Sequence, residues 1–177
     1  EGIDDTGIRA GIIAEIASSP ERFEGEEKKI LRAAGIASRQ TGAAVSTHTG
    51  RATAVETIET LLAEGMDPDL IDDTKYHVQL LKYGVNIAFD TCGKKAYMPD
   101  ETRARNALAI MEAGYGDHLL FSNDISRRTY FTSQGGDGYL SVMKWVIPLL
   151  KQIGASDRQI QRCLVDNPAR ILDNEWR

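Results

Sequence analysis

Three short apolar runs in this chain each contain or lead to a side chain that can bind a metal ion. Glu15 lies within the first run, His48 ends the second, and Asp124 follows the third. In parallel α/β proteins, the carboxyl ends of buried strands present the ligands and bases of a site. Carboxylate and imidazole are donors that zinc and harder cations accept. We therefore predict that these three residues belong to one metal centre.

The apolar runs alternate with helical patterns. A helix is predicted to start among the acidic residues 24–27 and to end at Gly42, and a second is predicted over residues 55–62, before Gly65. Alternation of strand and helix favours βαβ units and a parallel sheet. The predicted strands span residues 7–17, 43–47, 85–89 and 119–122.

The alternation is interrupted after the second helix. Residues 66–70 should lead into a strand, but residues 71–74 lead directly into a third helical pattern that carries Leu80 and Leu81. We therefore predict that two helices follow each other with no strand between them.

Composition indicates a soluble globular class. The 177 residues are predicted to form a single domain, with 42% hydrophobic and 27% charged residues. The net charge of -5 is spread along the chain, which argues against nucleic acid as a partner. No membrane span and no signal peptide are predicted. Cys92 and Cys163 are too few for a disulfide framework, so we expect free thiols and a cytoplasmic protein.

Two of the candidate ligands have another interpretation when each is taken alone. A Glu in an apolar strand needs a partner, so Glu15 is also consistent with a salt bridge to Arg9. Asp124 is also consistent with a cap on the loop that follows it. The other histidines, His77 and His118, are expected to pack at the surface or in a second layer.

Five segments resemble, in order, the phosphotriesterase family of the amidohydrolase superfamily. The resemblance covers nearly the whole chain, and it is nearest to phosphotriesterase homology proteins and phosphotriesterase-like lactonases. It implies a (β/α)8 TIM barrel that holds two divalent metal ions, usually zinc, at the carboxyl ends of its strands. The segments are GIRAGIIAEIASS, AAVSTHTG, IAFDTCGKKAYMPDE, LLFSNDISRR and NPARIL.

The resemblance also implies roles for the three candidate ligands. Glu15 matches strand four, where many members carry a carboxylated Lys that bridges the metals and this branch has Glu. His48 matches the ligand on strand five. Asp124 matches the ligand on strand eight, which also accepts the proton of a hydroxide shared by the two metals.

Two parts of the family pattern are not found in these residues. The His-x-His pair of the first strand would lie before Glu1, and the His of strand six would lie between Leu70 and Ile71. A segment is therefore predicted to be missing at each place, because the loss of one strand between two helices would leave unpaired sheet edges. A closed barrel needs ~250 residues. Residues 1–177 are therefore predicted to be the C-terminal part of the barrel, with only strands four, five, seven and eight and their helices. A truncated or degenerate chain is the other interpretation.

The loops after strands seven and eight carry the expected substrate contacts. Asp90 and Lys94 follow strand seven, and Arg127 follows strand eight. Two adjacent arginines, Arg127 and Arg128, suit a carboxylate or phosphate group on the substrate. The neighbouring Lys95 and Arg128 are expected to be solvated.

The resemblance implies a metal-dependent hydrolase in which a metal-bound hydroxide cleaves a lactone, carboxylic ester or phosphoester. The expected partner is a small molecule, not nucleic acid or a membrane, and a homodimer is a candidate assembly. One alternative is an inactive barrel relative that binds a ligand or partner. Another is a flavodoxin-like domain, which does not explain why three strands end on ligand-type residues.

Overall fold

The computed structural model describes residues 3–50, 52–66, 71–73 and 77–173. The chain divides into two compact units. The first comprises Glu1–Ile87 with Ala169–Arg177, and the second comprises Ala88–Pro168. Both units combine helices with short strands, so the fold is α/β, as predicted.

The first unit contains a three-stranded sheet. Strands β1 (Ile12–Ala17), β2 (Ala44–His48) and β3 (Ile71–Asp73) are ordered β1-β2-β3. Both pairings are parallel, which confirms the prediction from the strand and helix alternation. The carboxyl ends of β1 and β2 therefore lie side by side, with Ala17 opposite His48.

Helices follow these strands along the chain. They are α1 (Glu27–Thr41), α2 (Ala54–Ala63) and α3 (His77–Leu81). Helix α1 buries Leu31 and Ala34 on one face and ends at Gly42, whose φ of 75° is left-handed. That end confirms the predicted stop, since Gly adopts this conformation without strain.

The prediction that no strand lies between the second and third helices is wrong. Ile71–Asp73 form β3, and Val45 of β2 is opposite Ile71. The sequence Asp72-Asp73-Thr74 is typical of a helix start, but pairing with β2 overrides this local preference. A fifth strand is therefore present beyond the four expected. Residues 67–70 lie outside the described residues, so a missing segment before Ile71 stays a prediction.

Strand β1 is shorter and more exposed than predicted. It begins at Ile12, and Gly7, within the predicted strand, has a φ of 75° that no strand residue adopts. Half or more of its residues are exposed, including Glu15. The expectation of a buried strand is wrong because β1 lies at the edge of the described sheet.

The second unit is built around a two-stranded sheet. Strands β4 (Ile87–Phe89) and β5 (Leu119–Phe121) pair, and the rings of Phe89 and Phe121 stack with centroids 6.1 Å apart. The described sheets therefore have three and two strands, and neither closes into a barrel. The helices that complete the fold are α4 (Asp100–Ile110), α5 (Ile147–Gln152), α6 (Asp157–Gln161) and α7 (Asn167–Leu172).

Two residues near the end of the chain mark the starts of helices. Pro148 lies in the first turn of α5, directly after a π-helical segment at Val142–Val146 that interrupts the regular helix. Ser156 caps α6 and forms a capping box with Gln159. No helix among the described residues is long and apolar enough to cross a membrane.

Both cysteines are buried and free. Burial raises the pKa of the Cys92 thiol to about 12, and burial likewise raises the pKa of the Cys163 thiol to about 12. Neither thiol is therefore a reactive thiolate at neutral pH.

Candidate functional site

Two of the predicted ligands approach each other in the first unit. Glu15 Oε1 lies 3.5 Å from His48 Nδ1, and the two side chains are 56% and 44% exposed. The register of β1 shifts between Ile13 and Ile16, so the strand is irregular where it carries Glu15. The sheet thus brings a carboxylate and an imidazole together at neighbouring strand ends, open to solvent.

The loop after β1 fixes this edge of the sheet. Ser18 N donates to His48 O over 3.0 Å, and the hydroxyls of Ser18 and Thr53 are 3.0 Å apart. Glu27, in the first turn of α1, accepts from Ser19 N and Ser19 Oγ. Glu27 also accepts from Glu24 N over 2.8 Å. These hydrogen bonds lower the pKa of the Glu27 carboxyl below its usual 4.5, and the hydrogen bond from Glu24 N has the largest effect on that pKa.

Asp124 lies in the second unit, three residues after the end of β5 at Phe121. Its φ of 46° is left-handed, a strained conformation that Asp tolerates better than most residues. Its carboxylate and its backbone carbonyl both accept from Lys94 Nζ. Backbone strain of this kind is often found at functional sites.

Lys94 is nearly removed from solvent, with 9% of its side chain exposed. Its ammonium lies 4.4 Å from the centroid of the Tyr130 ring and 6.0 Å from that of Tyr97. The sequence predicted Lys94 as a substrate contact but indicated neither its ion pair with Asp124 nor the two tyrosines. Tyr130 lies in the loop that also carries Arg127, and no sequence pattern around it distinguishes it from an ordinary loop residue.

A cavity of about 280 Å³ opens beside Lys94 in the second unit. Asn123 Nδ2 donates to Ser141 Oγ at its wall, which fixes the residue before Asp124. The lining carries two ammonium groups, those of Lys94 and Lys95, and one carboxylate, that of Asp137, beside aromatic and polar side chains. This excess of positive charge suits a small anionic molecule. Residues that line it include Cys92, Lys94, Tyr97, Asn123, Tyr130 and Ser141.

The remaining predicted contacts lie in the loops of this unit. Asp90 is half-buried directly after β4, whereas Arg127 and Arg128 are exposed. Lys95 is also exposed, and its ammonium lies 5.5 Å from the Trp145 ring centroid. The expected solvation of Lys95 and Arg128 agrees with this exposure.

The other histidines are not brought to these sites by any described contact. His118 precedes β5, at the opposite end of the strand from Asp124, and its buried Nδ1 has no hydrogen-bond partner among the described residues. For His77 the structure describes the helical backbone alone, so the prediction about its side chain lies outside what is described.

Glu15 and His48 fit a divalent metal ion as a pair of ligands. Two tetrahedral ligands, each ~2.1 Å from an ion, lie about 3.4 Å apart, close to the 3.5 Å found here. In Asp124, the Lys94 ammonium contacts the Oδ2 oxygen of the carboxylate, whose side chain is 45% exposed. Among the residues described, no group of three or more His, Cys, Asp or Glu side chains is placed to hold an ion.

Comparison with known proteins places these residues in a defined context. The model of the phosphotriesterase family matches residues 1–172. The phosphotriesterase homology protein of Escherichia coli K12 is 36% identical over 181 residues, covering 97% of this chain and 62% of the relative. The crystal structure of the E. coli protein, which has phosphate in its active site, matches with a TM-score of 0.90 and 33% identity. The match covers 98% of this chain and 63% of the chain in that structure.

Two further relatives differ in their named activities. An N-acetyltaurine hydrolase of Dictyostelium discoideum is 33% identical, over 97% of this chain and 52% of the relative. The lactonase Lmo2620 of Listeria monocytogenes matches 97% of this chain and 56% of its own, with 27% identity and a TM-score of 0.84. The chain thus spans between about half and two thirds of the length of these relatives.

Proposed function

Because the chain belongs to the phosphotriesterase family, we propose that it forms part of a metal-dependent hydrolase acting on a lactone or another carboxylic ester. The observation that carries this proposal is the Glu15–His48 pair at neighbouring carboxyl ends of parallel strands. A carboxylate and an imidazole at this edge are two of the three protein ligands that a catalytic zinc site typically uses beside a water.

Glu15 and His48 would hold the metal ions, with Asp124 as a further ligand. Two divalent ions, zinc being the expected metal, would supply a Lewis acid and lower the pKa of water. The remaining ligands are proposed to come from parts of the full-length protein outside these 177 residues. This matches the chain's coverage of 62% of the E. coli relative. We propose that the parts lie before Glu1 and between Leu70 and Ile71.

Asp124 is proposed to accept a proton from the attacking water during hydrolysis. Asp124 stands three residues beyond Phe121, in the loop at the carboxyl end of β5. An acid or base placed in this way contributes typically ~10²–10⁴-fold to a rate.

The proposed substrate is small and carries an anionic group. The nearly buried ammonium of Lys94 and the cavity of about 280 Å³ beside it support this proposal. Phosphate in the active site of the E. coli protein agrees with it. Arg127 is proposed to contact the same anionic group, and Asp90 to contact the substrate next to β4.

A panel of substrates tests the proposal on the full-length protein. It should contain lactones, carboxylic esters and phosphoesters, each with and without an anionic group, together with an N-acyl amide. We expect hydrolysis of an anionic lactone or ester, and its loss in Glu15→Gln and His48→Ala. A matched control is Glu56→Gln, whose carboxylate pairs with Lys28 on the outer helices. Turnover that persists in both site variants would exclude the proposal.

A second candidate is a relative that binds a small anion without hydrolysing it. The observation in its favour is that Lys94 occupies the Asp124 carboxylate where a catalytic metal would be expected. The same panel distinguishes the two functions. Phosphate binding by calorimetry, without turnover of any ester, lactone or amide, would favour the second.

A further inference from the structure

A buried ion pair contacts the loop that carries Lys94. Asp100 is the first residue of α4 and Arg103 follows three positions later, with side chains 2% and 1% exposed. Arg103 Nη1 donates to Asp100 Oδ1. A buried pair of this kind adds little net stability, because desolvation offsets the attraction between the charges. The role of the pair is therefore sought in the hydrogen bonds that it makes to other residues.

Each member of the pair holds one residue of the loop between β4 and α4. Arg103 Nη2 donates to Thr91 Oγ1 over 3.0 Å. Gly93 N donates to Asp100 Oδ1, also over 3.0 Å. The next residue is Lys94, whose own backbone N donates to Thr91 O over 3.0 Å. The pair thus fixes the backbone on which Lys94 stands.

The loop is also confined on the side of Ser141. Gly93 has a φ of 87°, and a Cβ built on it would lie 2.7 Å from Ser141 Cβ. The side chain of Lys94 reaches Asp124 from this backbone. A long, flexible side chain keeps one position only when its backbone and surroundings are fixed. The position of the loop therefore decides whether the ammonium meets the carboxylate.

We propose that Asp100 and Arg103 are positioning residues that act through Thr91 and Gly93 to hold the Lys94 ammonium against Asp124. The consequence for catalysis rests on the proposed function, because it requires Asp124 and Lys94 to act on a substrate. The positioning itself does not depend on any reaction.

Chemical labelling of lysines tests the positioning without turnover. Thr91→Val removes the hydroxyl that accepts from Arg103 and leaves the buried pair in place. Reductive methylation of the full-length protein, read by mass spectrometry, gives the rate at Lys94 relative to Lys29, whose side chain is 82% exposed. We expect this relative rate to rise about tenfold in Thr91→Val, since tenfold corresponds to ~1.4 kcal/mol, the size of a hydrogen bond to a charged group.

Thr102→Val is the matched control. Thr102 lies on α4 beside Arg103 and is half-buried like Thr91, and its hydroxyl accepts from Arg105 over 3.2 Å. Lys94 labelling is expected to stay at the wild-type rate in this variant. An unchanged rate in Thr91→Val would overturn the proposal, and so would an equal rise in Thr102→Val. Asp100→Asn should raise the labelling rate of Lys94 above that of Thr91→Val. If the Asp100→Asn variant does not fold, the Thr91→Val result alone tests the proposal.

Kinetics separate this proposal from the proposed function. If the wild-type protein hydrolyses no substrate, the proposed function fails while the labelling result stands. If it does, Thr91→Val should raise KM for an anionic ester about tenfold. It should leave KM for the neutral isostere unchanged, a difference that general loosening of the fold would not produce.

Discussion

At the scale of single residues, the described contacts concentrate on two pairs. Glu15 meets His48 at the ends of β1 and β2, and Lys94 meets Asp124 after β4 and β5. Glu15, His48 and Asp124 could be selected from sequence because each lies in or follows a short apolar run. The pairing of Lys94 with Asp124 could not, because it joins residues 30 positions apart through the course of two loops.

Asp124→Asn should lower kcat by ~10²–10⁴-fold, because the amide cannot accept the proton of the attacking water. The fold should persist, since Asn also adopts the left-handed conformation found at this position. Steady-state kinetics on the best substrate and urea unfolding of the same preparation check both expectations.

The control for this variant is Asp117→Asn. Asp117 precedes β5 and pairs with Arg162, with 3.0 Å between Oδ1 and Nη1, at the strand end remote from Asp124. Its kcat should match that of the wild-type protein. If Asp124→Asn turned over substrate as fast as Asp117→Asn, Asp124 would have no part in the reaction.

At the scale of elements, the helices were more predictable than the strands. Gly42 is the C-cap of α1 and Ser156 is the N-cap of α6, and both capping residues can be recognised from the local sequence. Strand β3 has three residues and exists through its pairing with β2. Local sequence does not encode such a partner, which is why Ile71–Asp73 was expected to enter a helix.

The loop after β1 has a pH dependence that follows from Glu27. Hydrogen bonds lower the pKa of this carboxyl in the folded state, so it stabilises the fold above its unfolded value of 4.5. That contribution is lost as the pH falls through the folded pKa. Glu27→Gln should therefore unfold at lower urea than the wild-type protein at pH 7, and the difference should shrink below pH ~4.

Glu26→Gln is the comparison for Glu27→Gln. Glu26 pairs with Lys29 on the exposed surface of α1, and such pairs contribute little. Its urea midpoint should stay near that of the wild-type protein at both pH values. A difference for Glu27→Gln that grew at low pH would contradict the role assigned to its hydrogen bonds.

At the scale of the whole molecule, family membership was evident from the order of the sequence segments, and the match over residues 1–172 confirms it. The closed barrel was an expectation from the family. The described strands form sheets of three and two. A barrel closes only when every strand edge has a hydrogen-bond partner. Local sequence patterns do not indicate which strands pair, so closure could not be predicted from them.

The metal content of the purified full-length protein tests the central claim most directly. After expression with supplemented metal, elemental analysis should find about two divalent ions per chain. Glu15→Gln and His48→Ala should lower that number, while Glu56→Gln should leave it unchanged. A content near zero in the wild-type protein, or equal content in all variants, would contradict a metal site at the ends of β1 and β2.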